Sequence, residues 1–321
     1  MFTNQILMTG ATGFVGGALG SHLVSAGNKI RALVRQKSDA LPVTIEQVVA
    51  DLTNVKLLSL EFFSGVDVVI HCAARVHILQ DNSADPLSEF RQLNRDATLT
   101  LARKAAESGV KRFVFLSSIG VNGNNNLKPF SETDTPNPQE SYAISKWEAE
   151  LGLFALAEET GIEMVIIRPP LVYGPNAPGN FGSLIKWINK GIPLPFGSIH
   201  NQRSLVALDN LIDFIIHCIG HPKAANEVFL ISDDEDVSTT KLLRKVANAF
   251  GKKPMLLPIP VWLMTSVAKL VGKGDVANRL FGSLQVDSSK ARELLGWKPV
   301  ITMDEQLKKT ADAYLEHEKT L

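Results

Sequence analysis

Gln5-Ile6-Leu7-Met8-Thr9-Gly10-Ala11-Thr12-Gly13-Phe14-Val15-Gly16 is the stretch of sequence that decides the fold of this chain. Its first five residues form an apolar run that predicts a buried strand, and an amphipathic helix is expected to follow the glycines. Gly10 and Gly13 allow a tight turn whose backbone N–H groups can approach a pyrophosphate, and Gly16 lets helix and strand pack closely. The spacing departs from Gly-x-Gly-x-x-Gly. Even so, a strand before the turn and a helix after it are the context of a phosphate-binding turn.

Strands and helices alternate along the next hundred residues. Four further strands are predicted, at Lys29 to Val34, Ile45 to Ala50, Asp67 to His71 and Arg112 to Leu116. This alternation predicts a parallel sheet, which binds its ligand outside the carboxyl ends of its strands. The residues that fall at such ends are Gly10, Arg35, Asp51, Ala73, Ala74, Ser117 and Ser118.

Tyr142-Ala143-Ile144-Ser145-Lys146 places a tyrosine and a lysine one turn apart on the same face of a predicted helix. An unperturbed phenol, with a pKa of about 10, is a poor base at neutral pH, but a nearby ammonium favours the phenolate. The pair therefore indicates an acid/base site. By itself the spacing also fits an exposed lysine beside a half-buried tyrosine.

With these motifs in place, the chain resembles the extended short-chain dehydrogenase/reductase family, also called the NAD-dependent epimerase/dehydratase family, over nearly its whole length. Further motifs that carry the resemblance are Asp51-Leu52, His71-Cys72-Ala73-Ala74, Asn94, Leu116-Ser117-Ser118, the run from Arg168 to Pro175, and the run from Asp287 to Pro299. The chain looks most similar to the bacterial UDP-glucose 4-epimerase-like proteins, a subgroup that includes UDP-4-keto-6-deoxy-hexosamine 4-reductases. This similarity is carried by the run from Arg168 to Pro175 followed by Gly191 to Pro195 and Arg203 to Val206.

The resemblance implies an α/β fold: a Rossmann-type doubly wound parallel sheet with a smaller C-terminal mixed α/β substrate lobe. We expect the dinucleotide-binding domain to span residues 1–170, with residues 205–235 returning to the sheet. Residues 171–321 would form most of the substrate lobe.

Roles for individual residues follow from the same resemblance. Tyr142 would be the acid/base, Lys146 would hold the nicotinamide ribose and lower the pKa of Tyr142, and Ser118 would bond the reacting oxygen. Either serine of the Ser117-Ser118 pair could instead cap local backbone. The full set expected to bind the cofactor is Gly10, Thr12, Gly13, Phe14, Val15, Gly16, Arg35, Asp51, Leu52, Ala73, Ala74, Asn94, Ser117, Tyr142, Lys146 and Pro169.

Asn180 and Arg203 match family positions that contact the nucleotide diphosphate of a substrate, and the planar guanidinium of arginine suits phosphate. Arg203 could also be a solvated charge or pair with Asp209. The cysteines and histidines have no metal-ligand spacing, so no metal site is expected.

Arg35 bears on the choice of cofactor. An acidic residue at the end of the second strand would bond the ribose of NAD, whereas an arginine accommodates the extra phosphate of NADP. The segment from Arg35 to Ser38 contains two cations, and its first acid is Asp39. We therefore expect NADP(H) to be favoured over NAD(H).

An NADP preference favours a reductase, which exchanges its cofactor, over an epimerase, which regenerates its own. Hence the first hypothesis is a 4-ketoreductase of a UDP-linked deoxy-amino sugar in surface polysaccharide synthesis. The alternatives are a UDP-hexose or UDP-hexosamine 4-epimerase with retained NAD, and a non-catalytic dinucleotide-sensing protein. A dehydratase is disfavoured, because Ile119 and Gly120 stand where similar dehydratases have an Asp-Glu pair.

Charge and hydropathy limit the partners. The chain has 321 residues, with 33 basic against 33 acidic residues, so no overall field favours nucleic acid. No run approaches the roughly 20 apolar residues of a membrane span. We therefore expect a cytoplasmic protein, and the resemblance implies a homodimer. The apolar segment Leu256 to Val271 could contact a membrane, but a buried amphipathic helix is the expectation.

Overall fold

A seven-stranded parallel sheet forms the centre of the protein, for which a computed structural model describes residues 4–76, 85–270, 272 and 274–320. The order of its strands is β3-β2-β1-β4-β5-β6-β9. They are β1 (Gln5–Thr9), β2 (Lys29–Val34), β3 (Glu46–Val49), β4 (Val68–His71), β5 (Arg112–Leu116), β6 (Glu163–Arg168) and β9 (Glu227–Leu230). The predicted fold class is confirmed. β3 is shorter than predicted at both ends, and β4 begins at Val68 rather than at Asp67.

The remaining strands, β7 (Leu171–Tyr173) and β8 (Leu205–Ala207), form a separate two-stranded parallel sheet. The helices of the described chain are α1 (Phe14–Ser25), α2 (Pro86–Arg91), α3 (Thr98–Glu107), α4 (Ser141–Thr160), α5 (Gly179–Asn189), α6 (Leu208–Gly220), α7 (Thr239–Ala249), α8 (Val261–Leu270), α9 (Gly274–Phe281), α10 (Ser289–Leu295) and α11 (Met303–Thr320). A π-helical turn, Gln92–Ala97, joins α2 to α3, and short 3₁₀ turns lie elsewhere.

Helices cover both faces of the large sheet. Alternation along β1 shows this directly: Ile6 and Met8 pack with α1 and α6, whereas Leu7 packs on the opposite face with α3 and α4. Strands that are buried on both faces read as continuous apolar runs, which is why β1 could be found from its sequence.

A third apolar cluster lies between the small sheet and helices α5, α7 and α11. Tyr173 of β7 is fully buried there, and its hydroxyl donates to Asp233 Oδ2 at 2.7 Å. The other oxygen of Asp233 accepts from Ala207 N and Asn210 Nδ2. This carboxylate therefore ties the small sheet to α6. The division of the chain into two lobes stays a prediction.

The expectation for Leu256 to Val271 is wrong. Within this segment helix α8 has no buried residue, and Trp262 and Leu270 are 70% and 86% exposed. Periodicity gives the apolar face of a helix but not the side on which neighbours lie, so it could not show that this face points outward. Val271 lies outside the described residues.

Arg112, at the start of β5, holds the end of α6. Its buried guanidinium donates from Nη1 to the carbonyl oxygens of Cys218, Ile219 and His221 at 2.6, 2.9 and 3.1 Å, and from Nε to Glu163 at 2.8 Å. Carbonyls at a helix C-terminus lack partners within the helix, and a cation there also suits the helix dipole. Arg112 therefore locks α6 onto the sheet.

We predict that Arg112→Met lowers the free energy of unfolding by about 2–4 kcal/mol, because buried carbonyls and Glu163 lose a charged donor. Arg103→Met is the matched control, since the ion pair of Arg103 with Glu159 is exposed and should contribute only ~0–1 kcal/mol. Urea unfolding of both variants measures the difference. Equal effects would contradict this role of Arg112.

Candidate functional site

The turn between β1 and α1 fits tightly against the end of β4. Gly10 has a φ of +71°, and a Cβ added there would lie 2.6 Å from Ala73 N. A Cβ on Gly16 would lie 2.1 Å from Gly10 O. Thr12 and Gly13 are exposed, and the first turn of α1 contains no acidic residue. The turn therefore offers an open helix N-terminus to an anion, as a dinucleotide pyrophosphate requires.

A buried chain of hydrogen bonds joins the ends of β1 and β4. Thr9 Oγ1 lies 2.7 Å from His71 Nδ1, and His71 Nε2 lies 2.9 Å from Thr98 Oγ1. Because the Thr98 hydroxyl donates to Asn94 O, Nε2 of His71 is the protonated nitrogen. Burial lowers the pKa of His71 to about 3. His71 is thus a neutral structural link.

Asn94 is fully buried in the π-helical turn and connects two parts of the site. Its Oδ1 accepts from Arg75 N at 2.8 Å, and its Nδ2 donates to Arg75 O and to Ser145 Oγ, each at 3.0 Å. Ser145 Oγ in turn donates to Tyr142 O at 2.7 Å. The extra residue of a π turn often occurs at functional sites, and here it fixes the loop after β4 against α4.

Lys146 of α4 is only 1% exposed. Its Nζ donates to Leu116 O at 2.8 Å and lies 4.2 Å from the centroid of the Phe115 ring. Burial lowers the pKa of Lys146 to about 7, although the charge of Glu150 opposes this shift. The ammonium is therefore held at the end of β5 but loses its proton more easily than an exposed lysine.

Tyr142, one turn earlier on α4, is half-buried, with its ring centroid 6.2 Å from that of Phe90. Burial raises the pKa of Tyr142 to about 12, whereas Lys146 was expected to lower it. Desolvation penalises the phenolate, and the Lys146 ammonium is bonded to Leu116 O. A lower pKa would need an added positive charge, such as an oxidised nicotinamide ring.

The two serines at the end of β5 have different surroundings. Ser117 is buried, and its hydroxyl donates to the Glu150 carboxylate. Ser118 is half-buried and its Oγ accepts from Gly120 N at 3.1 Å, which begins the 3₁₀ turn Ile119–Val121. Only the Ser118 hydroxyl is thus positioned at the edge of the site, while Ser117 is part of its support.

Beneath Lys146 lies a buried ion pair that the sequence did not suggest. Arg168, at the end of β6, donates from Nε to both oxygens of Glu150 at 3.1 Å and from Nη1 to Asn122 at 3.0 Å. The guanidinium also lies 5.6 Å from the Trp147 ring. Glu150 is four residues after Lys146 on α4. This spacing was the one signal in the sequence that could have indicated a buried Glu150.

Arg35 and Asp51 lie beyond the ends of β2 and β3, and both are exposed. Asp51 Oδ1 accepts from Thr53 N at 2.9 Å. That bond, and the charge of Arg35, lower the pKa of Asp51. The cation of Arg35 therefore has an acidic neighbour, which sequence inspection alone did not identify.

Arg203 lies outside this edge of the sheet. Its Nη1 donates to Gly282 O at 3.1 Å, and Asp209 pairs with Lys309 at 2.7 Å, so the suggested pair of Arg203 with Asp209 does not form. Burial lowers the pKa of Arg203. The side chain of Asn180 lies outside the described residues. The substrate-binding roles of both residues stay predictions.

The other predicted cofactor residues lie around the same edge. Phe14 and Val15 are half-buried on the face of the large sheet that α1 and α6 cover, and Leu52 is half-buried on the opposite face. Ala74 follows β4. Pro169 is buried after β6, and its carbonyl accepts from Ile119 N at 3.0 Å. Together these positions form a continuous rim from the glycine turn to α4.

The arrangement suits hydride transfer with an organic cofactor. A phosphate-binding turn, a phenol, an ammonium and a hydroxyl converge at one sheet edge, where a dinucleotide can lie beside an alcohol substrate. Among the described residues no cluster of His, Cys, Asp or Glu could hold a metal ion. Nor does any helix of the described ranges combine the length and hydropathy of a membrane span.

Comparison with known proteins decides the family. The model of the NAD-dependent epimerase/dehydratase family matches residues 6–232. The chain belongs to this family. It is an NAD-dependent enzyme of the extended short-chain dehydrogenase/reductase type, and the resemblance inferred from its motifs is confirmed.

Similar proteins include several 4-epimerases. A Vibrio cholerae UDP-glucose 4-epimerase is 47% identical over 319 residues, which cover 97% of this chain and 96% of that protein. The N-acetyl-alpha-D-glucosaminyl-diphospho-ditrans,octacis-undecaprenol 4-epimerase of Escherichia coli O157:H7 is 26% identical, covering 98% and 97%. The structure of UDP-glucose 4-epimerase from Thermotoga maritima with UDP-glucose aligns with a TM-score of 0.80 at 25% identity, covering 98% and 99%.

We predict that Gly16→Ala abolishes retention of the dinucleotide, because the new Cβ would collide with the Gly10 carbonyl and displace the turn. Gly17→Ala is the matched control on the same helix, since its Cβ would lie 3.3 Å from Ala11 O, a contact that a small shift relieves. The measurement is the amount of nucleotide released per mole of purified protein. Full retention by Gly16→Ala would contradict the assigned turn.

We also predict that Lys146→Met stabilises the nucleotide-free protein by about 1–3 kcal/mol at pH 6. The folded-state pKa of about 7 lies below the ordinary 10.5, so the full cost of burying the ammonium applies below pH 7. Between these values the unfolded chain binds the extra proton, and wild-type stability rises with pH. The advantage of Lys146→Met should therefore shrink at pH 9.

Urea unfolding at the two pH values measures this difference. Lys111→Met is the control, because Lys111 is exposed and its replacement should change stability by less than about 0.5 kcal/mol. A Lys146→Met protein that is less stable than wild type at pH 6 would show that burial of the Lys146 ammonium does not destabilise the folded protein.

Proposed function

We propose that the protein is a UDP-hexose 4-epimerase that works with a retained NAD⁺. The observation that carries this proposal is the convergence of the glycine turn, Ser118, Tyr142 and Lys146 on one sheet edge in a chain that is 47% identical to a UDP-glucose 4-epimerase over nearly its whole length. The 4-ketoreductase hypothesis has less support, since it depended on the NADP preference inferred from Arg35. Intact Tyr142 and Lys146 also disfavour the non-catalytic alternative.

The surroundings of Arg35 support NAD as the cofactor. The Asp51 carboxylate lies close enough to Arg35 for the charge of the arginine to lower its pKa. This carboxylate offsets the cation and would repel the additional phosphate of NADP. The NADP(H) preference inferred from the segment Arg35 to Ser38 therefore has less support, and the family to which the chain belongs is NAD-dependent.

In the proposed reaction Tyr142 takes the proton of the C4 hydroxyl and later returns it, while Ser118 donates a hydrogen bond to the same oxygen. NAD⁺, when bound, would supply an acceptor and donor of hydride at C4. Positioned acid/base groups of this kind contribute about 10²–10⁴-fold to rate. Lys146, held by Leu116 O, would position the ribose of the dinucleotide.

The dinucleotide would be held by the turn from Gly10 to Gly16 and the loop after β4. Asn94 keeps that loop in register with α4 through Arg75 and Ser145. The homodimer expected from the resemblance, and the binding of diphosphate by Asn180 and Arg203, stay part of this proposal. UDP-N-acetylglucosamine is a second substrate to test, because the relative from Escherichia coli acts on an N-acetylglucosaminyl diphosphate.

The test combines nucleotide release with an activity assay. Purified protein is denatured, the released nucleotide is identified, and native protein is incubated with UDP-glucose and no added cofactor. Released NAD⁺ and formation of UDP-galactose are expected. If the protein releases no nucleotide, and converts no sugar until NADPH and a 4-keto sugar are supplied, the result would instead support the reductase.

We predict that Tyr142→Phe lowers the rate of UDP-glucose epimerisation by about 10²–10⁴-fold while NAD⁺ is still retained, because only the proton carrier is removed. Tyr314→Phe, which removes a hydroxyl from α11 in the third apolar cluster, is the control and should keep the wild-type rate. A Tyr142→Phe enzyme of normal activity would exclude the assigned acid/base.

A further inference from the structure

Helix α8 presents its apolar side to solvent. Trp262, Leu263, Val267 and Leu270 have the i, i+1, i+5, i+8 spacing of one helical face, and their exposed fractions run from 41% to 86%. The half-buried positions of α8 lie on the opposite side. An ordinary surface helix turns its apolar face toward the core and its polar face toward solvent. The outward apolar face of α8 therefore suggests a binding partner outside the described chain.

The face continues onto the neighbouring segment. Leu194 N donates to Met255 O and Leu257 N donates to Leu194 O, both at 2.8 Å, so the chain leading into α8 runs beside the chain that follows α5. The resulting surface, here named the α5–α8 surface, comprises Trp187, Ile192, Met255, Leu257, Trp262, Leu263, Val267 and Leu270. All eight side chains are more than 40% exposed. Large contiguous apolar areas of this kind mark interaction sites.

The charge of the same two segments has a single sign. Residues 179–203 and 251–274 contain no aspartate or glutamate, in a chain whose charges balance overall. Their lysines are Lys186, Lys190, Lys252, Lys253, Lys269 and Lys273. The first five are exposed in the structure, and Lys252 Nζ donates to the side-chain oxygen of Asn189 at 2.6 Å, which keeps the segments together.

We propose that the α5–α8 surface binds the protein to a membrane that contains anionic lipid. Tryptophan and leucine on an outward helix face, with lysines and no acidic residue on the same two segments, are the composition of helices that lie in a lipid interface. Glu318 of α11, which accepts from Asn189 Nδ2 at 3.1 Å, lies at the border of this surface. Each lysine near an anionic lipid surface strengthens binding by about fivefold. A second copy of this chain fits less well, because an isologous contact would bring the lysines of one copy against those of the other.

The experiment is flotation of the full-length protein with phosphatidylcholine vesicles, with and without phosphatidylglycerol, at low and high salt. We expect binding only to the vesicles that contain phosphatidylglycerol, and less binding at high salt because added ions screen the lysines. Trp262→Ser/Leu270→Ser should reduce the bound fraction at least about tenfold, and Lys253→Glu/Lys269→Glu should reduce it by a similar factor.

Leu127→Ser is the matched control, since Leu127 is fully exposed in a loop outside the α5–α8 surface and should leave flotation unchanged. Thermal unfolding of each variant checks that it is folded. The proposal is overturned if wild-type protein does not float at low salt, or if Trp262→Ser/Leu270→Ser floats as well as wild type. It is also overturned if that variant converts a dimer to a monomer in sedimentation while no protein binds vesicles, because the occupant would then be a second copy.

Discussion

The burial of the Lys146 ammonium at the end of β5 is the constraint on which the site depends. Removing a charge from water is costly, and here the cost is offset by Leu116 O, by the face of Phe115 and by the negative charge of Glu150 one turn along α4. Glu150 is itself buried and requires partners, which Arg168 and Ser117 supply. Removing either Glu150 or Arg168 would leave the charge of the other uncompensated.

These partners come from different elements, so the network also fixes geometry. Lys146 and Glu150 lie on α4, Arg168 ends β6 and Ser117 follows β5. The Thr9–His71–Thr98 chain and Asn94 do the same for the glycine turn and the loop after β4. Neutral and ionic hydrogen bonds thereby hold the phosphate turn and the acid/base pair on one rigid edge, where preorganised groups are most effective.

Local patterns made much of this predictable. The apolar run of β1, the glycine spacing and the separation of Tyr142 from Lys146 are properties of short segments, and they indicated the fold class and the sheet edge. The partner of Glu150 could not be predicted in this way, because Arg168 meets Glu150 only through the packing of β6 against α4. The direction of the pKa shift at Tyr142 depended on burial, which spacing does not give.

Two other features show the same limit. The charge of Arg35 lowers the pKa of Asp51 because β2 and β3, which precede these residues, are adjacent in the sheet, and this acidic neighbour weakens the inference of an NADP preference. The apolar face of α8 could be recognised in the sequence, but its exposure could not, since that depends on which elements pack around it. Both features depend on long-range packing.

In the proposed epimerisation, hydride leaves C4 of the sugar and returns to the same carbon without exchange with solvent. Conversion of UDP-glucose that carries deuterium at C4, followed by mass spectrometry of the UDP-galactose product, tests this most directly. We expect deuterium to stay on C4 with no cofactor added. Loss of the label to solvent, or formation of product only when a reduced nicotinamide cofactor is consumed, would contradict it.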